Sequence, residues 1–351
     1  MILRNINLKG FLLLALCFSS ASLAGQDTSA SQTAAAQNAE IAKRTGIAQH
    51  ESLASLALAP GQLTAKPVIA GEKAESASFT RELVQVQWRF MDPIDLYVIR
   101  PKGVAKPHVV LYLYSYPTET ARFRNEDYCQ RITSGGVAAI GFVSAMTGQR
   151  YHDRPMKEWF VSELPEALTI SVHDVQMVLN YLAKRGDFDL SDVGIFGQGS
   201  GGTIALLAAS VDPRVRAVDV LDPWGDWPQW LAKSSLVPDG ERSAYLKPAF
   251  LASVAPLDPM KYLPKLTQQA VRLQYRADDP VTPAEVATDI ASAAPPNVKV
   301  VHYASGKELY LQTSGGRLFD WLKDQLKADK STPYTSSAQA GSAASDSHRL
   351  Q

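Results

Sequence analysis

The stretch "VGIFGQGSGGTIALLAAS", Val193 to Ser210, is the part of this chain best suited to nucleophilic chemistry. An apolar run leads into a glycine-rich corner, and a run of helical composition leads out. A serine at such a junction has its hydroxyl displayed at the edge of a sheet, where a neighbouring base can take its proton. Ser200 is the serine in question. The letters from Gly197 to Gly202 also spell G-x-G-x-x-G, but the corner comes after several strands, later than a dinucleotide fingerprint is expected. No Gly-Lys-Ser/Thr follows it, so it is not a phosphate loop. The six histidines are scattered, without the close spacing of a zinc site, and no metal or other cofactor is expected. Cys129 sits in "RNEDYCQRI", an acidic helical setting that suits a structural thiol.

The corner must be held by a fold, and the chain is long enough to build one. Its 351 residues are 46% hydrophobic and 20% charged, a globular composition. Lys plus Arg and Asp plus Glu both number 35, so no net field draws nucleic acid or an anionic membrane. The start, "MILRNINLKGFLLLALCFSSASLAGQD", has a basic beginning, a short apolar core and small residues at Ser22 and Ala24. This predicts a signal peptide over 1–24, cut after Ala24, and export to the periplasm or the medium. The apolar run is too short for a stable membrane span. Leu16 is a poor neighbour for a lipidated Cys17. Once 1–24 is removed, Cys129 is the sole cysteine and no intramolecular disulfide can form.

Residues 25–78 are expected to be a flexible leader and 329–351 a disordered tail, both rich in small polar residues. Between them, eight strands are predicted: "ELVQVQWRF", "DLYVIRP", "HVVLYLYSY", "GVAAIGFV", "VGIF", "RAVDVLD", "AVRLQYR" and "VKVVHYA". Helical patterns separate them from Thr120 onward, the longest over Glu166 to Lys184. Antiparallel strands followed by strand–helix alternation predict an α/β protein: a mixed, mostly parallel eight-stranded sheet with helices on both faces. Ligands bind such sheets outside the carboxyl ends of the strands.

The corner and the segment "LDPMKYLPKL…VRLQYRADDPVTP" together resemble the α/β-hydrolase superfamily, nearest its dienelactone-hydrolase and esterase-like branches, over residues 79–328. The resemblance implies a Ser–His–Asp relay and a small helical cap, here the insertion 223–269. It implies that the corner follows the frame small–x–nucleophile–x–small. With "VGIF" setting the register, Gly197 and Gly201 take the small positions and the nucleophile position falls on Gly199, which has no side chain to attack with. Ser200 is either a nucleophile displaced by one residue or a structural residue at a helix start. The resemblance assigns the acid to Asp279, with Asp278 beside it and Asp222 one strand earlier as the second choice. It puts Lys307 where the histidine belongs, and lysine is a poor base while charged. His302 lies inside a strand and His173 in mid-helix, both structural in character, whereas His152 follows a strand on a loop that can face the pocket.

The oxyanion loop of relatives corresponds to Tyr114-Ser115-Tyr116. With His152, Trp224 and Trp227 these are the expected pocket residues; Trp230 belongs to the same aromatic cluster, which suits a pocket or a cap core equally. The expectation is an exported protein of serine-esterase ancestry that binds a small apolar or ester-like molecule and hydrolyses it weakly or not at all. Two alternatives stay open: an active carboxylic-ester hydrolase using Ser200 with a rearranged base, and a non-catalytic interaction protein. No nucleic-acid partner is expected.

Overall fold

Strand formation follows from where the apolar residues lie. The runs 109–113 and 138–142 have side chains buried on both faces, as strands covered by helices on both sides must. The computed structural model describes residues 63–65, 69–89, 92–114, 120–146 and 163–326. Its strands are β1 (Ile69–Glu75), β2 (Phe79–Val86), β3 (Ile94–Pro101), β4 (His108–Leu113), β5 (Ala138–Phe142), β6 (Asp189–Gln198), β7 (Val215–Leu221), β8 (Ala270–Arg276) and β9 (Lys299–Tyr303). They form one nine-stranded sheet in the order β1-β2-β3-β5-β4-β6-β7-β8-β9. The first three pairings are antiparallel and all those from β5 to β9 are parallel.

The mixed, mostly parallel sheet matches the expectation, with one strand added. β1 lies inside the range 25–78 that was expected to be a flexible leader, and it pairs with β2 from Ile69↔Gln85 to Glu75↔Thr80. Its residues are almost all exposed, so no buried alternation marks it in the sequence. Leu63, also in that range, is buried and accepts a hydrogen bond from Asn180 Nδ2 at 2.7 Å. The calls for 1–24 and 329–351 lie outside the described residues.

The helices are α1 (Glu126–Thr133), α2 (Leu164–Arg185), α3 (Ser200–Val211), α4 (Trp227–Lys233), α5 (Arg242–Tyr245), α6 (Pro248–Val254), α7 (Ala284–Ser292), α8 (Gly306–Thr313) and α9 (Asp320–Gln325). No helix among the described residues is long and apolar enough to cross a membrane. Local chemistry sets several ends. The Asn125 side chain accepts from Tyr128 N–H at 2.8 Å to start α1. Gly186, left-handed at φ 76°, ends α2. The insertion between β7 and β8 is wholly helical, with α4, α5, α6 and three short 3-10 turns over 255–265.

Alternation along β6 separates the two faces. A side chain at Gly194 would point at Leu322 and Leu326, so even-numbered residues face α9. A side chain at Gly197 would run into Gly201 and Gly202, so odd-numbered residues face α3. On the α9 face, Tyr112, Tyr114, Phe123, Tyr128, Phe196 and Phe319 form an aromatic cluster with ring separations from 5.1 to 6.4 Å. Cys129 is buried beside it, donating to the Phe123 carbonyl at 3.0 Å, and burial pushes its thiol up, consistent with a structural role. A buried polar network closes the same face. Arg272 grips Asp219 through Nε at 2.8 Å and Nη2 at 2.6 Å, Gln274 Nε2 donates to Asp219 at 2.8 Å, and Tyr303 hydroxyl donates to Gln274 at 2.8 Å. The network ties β7, β8 and β9 in register and pairs the buried Asp219 carboxylate with a guanidinium.

The other face depends on close backbone approach. A Cβ at Gly201 would overlap the Leu113 carbonyl, and one at Gly202 would press on Pro223. Gly201→Ala is therefore expected to push α3 away from β4 and destabilise the fold by about 3 kcal/mol or more, measurable by urea denaturation; wild-type stability in that variant would contradict this packing.

Candidate functional site

The carboxyl ends of β6, β7 and β8 lie side by side, because the three strands are parallel neighbours. Each ends in a residue with a special backbone or a charged partner. β6 is followed by Gly199, with φ 55° and ψ −122°, a conformation that costs glycine little and other residues a good deal. Gly199 N–H donates to the Leu221 carbonyl at 2.9 Å, and its own carbonyl accepts from Gly202 N–H at 2.9 Å and Thr203 N–H at 3.2 Å. The close contacts at Gly197 and Gly201 occupy the two small positions of the frame. The sharp turn at its centre is thus Gly199.

Ser200 is the first residue of α3, and its backbone N–H belongs to the helix turn that has no intrahelical acceptor. Its side chain is fully buried, and Oγ has no hydrogen-bond partner among the described residues. The described histidines are engaged elsewhere. His302 stacks on Tyr275 at 5.8 Å, His173 is buried in α2 edge-on to Trp88 at 5.5 Å, and His108 lies 3.8 Å from Asp189. His152, Ser115 and Tyr116 lie outside the described residues. Lys307 sits in the first turn of α8 with its side chain exposed.

Both candidate acids are present, and an arginine that the sequence reading passed over joins them. Asp279 accepts from Arg276 Nη2 at 2.7 Å and from Thr282 N–H at 2.8 Å, the second bond leading the chain into α7. Asp222 accepts from Arg276 N–H at 2.8 Å and from its Nε at 2.5 Å. Thr282 closes the loop by donating its hydroxyl to the Asp222 carbonyl at 2.9 Å. Arg276 thus sits between the two carboxylates. Burial pushes the Asp222 carboxyl up to about 6, against the pull of Arg276. The neighbouring Asp278 accepts from Gly306 N–H at 2.9 and 3.0 Å, binding the acid loop to the start of α8. A strand ending in Arg with two aspartates close behind was the available signal for this clamp.

The pocket residues named from sequence fall in two places. Tyr114 has its side chain on the α9 face, with its hydroxyl paired to that of Tyr128 and the Arg122 guanidinium 3.6 Å above its ring. Trp224, Trp227 and Trp230 are fully buried; Trp224 and Trp230 stack at 4.8 Å, and Trp227 meets Trp230 edge-on at 5.9 Å. The base of this cluster is fastened to α3, since Thr203 Oγ1 donates to the Trp224 carbonyl at 2.7 Å and accepts from its N–H at 3.0 Å.

The geometry can be set beside known proteins. Neither a protein-family model nor a curated protein matches the sequence. Solved structures do. Acetyl xylan esterase 1 from Thermoanaerobacterium sp. JW/SL YS485 is 13% identical with TM-score 0.57, the match covering 75% of this chain and 89% of that one. The chain has the α/β-hydrolase fold. An acetyl xylan esterase from Paenibacillus sp. R4 gives 15% identity and TM-score 0.57 over 72% and 85% of the two chains. The 2,6-dihydroxy-pseudo-oxynicotine hydrolase gives 21% and 0.52 over 70% and 67%. Within that fold, Gly199 stands at the turn after β6, and the segment carrying α4 to α6 is inserted between β7 and β8.

A second acidic group lies at the root of the cap. Asp226 has φ 47°, and its carboxyl is pushed up to about 6 by burial and by the carboxylates of Asp289 and Asp258. A carboxyl raised this way in the folded state binds its proton there at a pH where the unfolded chain has lost it, so its contribution to stability falls as pH rises from about 4 through about 6. Asp226→Asn keeps a residue type that tolerates left-handed backbone. The variant is expected to be more stable than wild type at pH 7.5, by roughly 1 kcal/mol after allowance for solvent screening. The gain should vanish near pH 4, and thermal melts across that range check it.

Proposed function

We propose that this is an exported α/β-hydrolase-fold protein of serine-esterase ancestry that binds a small apolar or ester-like molecule and turns it over weakly or not at all. The observation that carries the reading is Gly199. It has the backbone of a nucleophile turn, φ 55° and ψ −122°, and no side chain from which an acyl group can be attacked. The remaining members of a relay support the same reading. Ser200 Oγ has no base within hydrogen-bond reach among the described residues, Lys307 is exposed, and Arg276 occupies both Asp222 and Asp279. A serine becomes a nucleophile only when a positioned base accepts its proton, so a buried hydroxyl without one is inert. Export is read from 1–24, with its basic start, apolar core and small residues before Ala24.

A fluorophosphonate probe tests the chemistry. Purified protein is expected to remain unlabelled, and p-nitrophenyl acetate hydrolysis to be the same for wild type and Ser200→Ala. Labelling that Ser200→Ala abolishes would overturn the proposal in favour of an active ester hydrolase. Gly199→Ser, which returns a hydroxyl to the turn at a strain cost of about 1–3 kcal/mol, is expected to leave turnover at background because no base accompanies it.

A further inference from the structure

The sheet has two edges, β1 and β9, and they are built differently. An edge strand exposes unpaired N–H and C=O groups, and charge or irregularity guards it against joining another strand. β1 is guarded. It carries Glu72, Lys73 and Glu75, which pair with Arg81, Glu82 and Lys102, and its register with β2 slips between Ala70 and Lys73. β9 has neither protection. Its residues are Lys299, Val300, Val301, His302 and Tyr303, with a fixed charge only at the amino end. It runs beside β8 in unbroken register from Arg272↔Lys299 to Arg276↔Tyr303. Val300 is 36% exposed, and in α8, the helix that follows, Tyr310 and Leu311 are 71% and 60% exposed. No strand among the described residues pairs with the outer side of β9.

Hydrogen bonding along β9 identifies the open groups. Ala277 N–H donates to the Tyr303 carbonyl at 2.9 Å, so Tyr303 turns its backbone groups toward β8. Alternate residues of a parallel strand share that direction, so Lys299 and Val301 do the same. Val300 and His302 therefore turn their N–H and C=O outward. The next outward N–H, that of Ala304, is already closed by the Glu308 carboxylate at 2.5 Å. That bond fixes a negative charge at the carboxyl end of β9, opposite in sign to Lys299 at the amino end. Both charges belong to the α9 face. Tyr303 bonds Gln274 on that face, and alternation points Lys299 the same way. Leu309 of α8 packs against the aromatic cluster there.

An edge with a cation at one end and an anion at the other is complementary to itself when turned end for end. We infer that β9 is the seam of a two-fold dimer, in which two copies of this chain join their sheets by antiparallel β9–β9 pairing. The pairing is centred on Val301. It sets Val300 opposite His302 of the second copy, where their open N–H and C=O groups exchange hydrogen bonds. It sets Lys299 opposite Tyr303 of the second copy, beside the Glu308 carboxylate of that copy. Centring on Val300 would move Lys299 away from that carboxylate. Centring on His302 would set Val300 against Ala304, whose N–H is taken. A two-fold axis normal to the sheet keeps the α9 faces continuous, so both α8 helices lie on one side of the seam and contribute Tyr310 and Leu311 to the area available for burial. Basic and acidic residues both number 35, so no net charge drives the copies apart. The dimer goes beyond the ligand-binding reading and does not depend on it.

Sedimentation velocity on the full chain over about 1–100 µM tests the dimer, since interfaces of ordinary size hold at micromolar concentrations or below. A concentration-dependent species of twice the chain mass is expected. Val300→Lys is expected to weaken association at least about tenfold, and Ala70→Lys on the β1 edge to leave it unchanged. Lys299→Glu sets like charges together and is expected to weaken association about threefold or more at low salt. Circular dichroism checks that each variant is folded. If Val300→Lys is not, Val300→Pro replaces it, since it removes only an outward N–H. In a Cys17→Ser background, Val301→Cys faces its own counterpart and is expected to form a disulfide-linked dimer under mild oxidation, whereas Val300→Cys faces His302 and is not. A chain that stays monomeric throughout, a dimer unaffected by the folded Val300 variant, a dimer broken equally by Ala70→Lys, or assemblies that grow beyond two copies would each overturn the inference. Cross-linking through Val300→Cys and not through Val301→Cys would overturn it as well.

Discussion

The rest of the site depends on how closely α3 crosses the sheet. Gly201 lies against the backbone of Leu113 in β4, Gly197 against Gly201 and Gly202, and Gly202 against Pro223 at the start of the cap. A methyl group at any of the three would separate elements that now touch. This contact holds Gly199 in its tight turn, puts Ser200 at the buried start of α3, and brings the cap root near enough for Thr203 to bond Trp224. Glycine is selected here for what it leaves out. The same property at position 199 lets the backbone take a positive φ at little cost.

The electrostatics around the turn are arranged for rigidity. Arg276 meets two carboxylates, one after β7 and one after its own strand, and Thr282 ties the second loop to the first. Charge-assisted bonds of this kind, largely shielded from water, hold loop geometry well. They also fix the direction in which the two carboxylates point. Asp219 and Arg272, earlier along β7 and β8, repeat the arrangement, so two arginine–aspartate pairs tie these neighbouring strands.

How much of this could be read from residues alone varied with the kind of signal. The buried strands were legible because continuous apolar runs have few other uses, and Gly197 to Gly202 was legible because so many glycines before an apolar helix imply close packing. The position of Gly199 followed from counting along "VGIF". β1 was missed because an edge strand with both faces open needs no hydrophobic alternation. The burial of His173 was not apparent because a histidine in mid-helix can face either way, and its edge-on contact is with Trp88, far away in sequence. The Arg276 clamp joins residues up to 54 positions apart through side chains, and pairing of that kind leaves no local pattern. Whether the tryptophans would line a pocket or fill a core was undecided for a similar reason. Burial depends on what the rest of the cap brings to them.

Asp222 and Asp226 both adopt left-handed backbone, φ 48° and 47°, and they bracket the short segment that leads from the sheet into the cap. Four residues along it are fastened: Asp222 through Arg276 and Thr282, Trp224 through Thr203, and the backbone N–H groups of Asp226 and Trp227 through Asp258. A hinge needs backbone free to rotate, and this segment has none to spare. The cap root therefore behaves as a fixed joint.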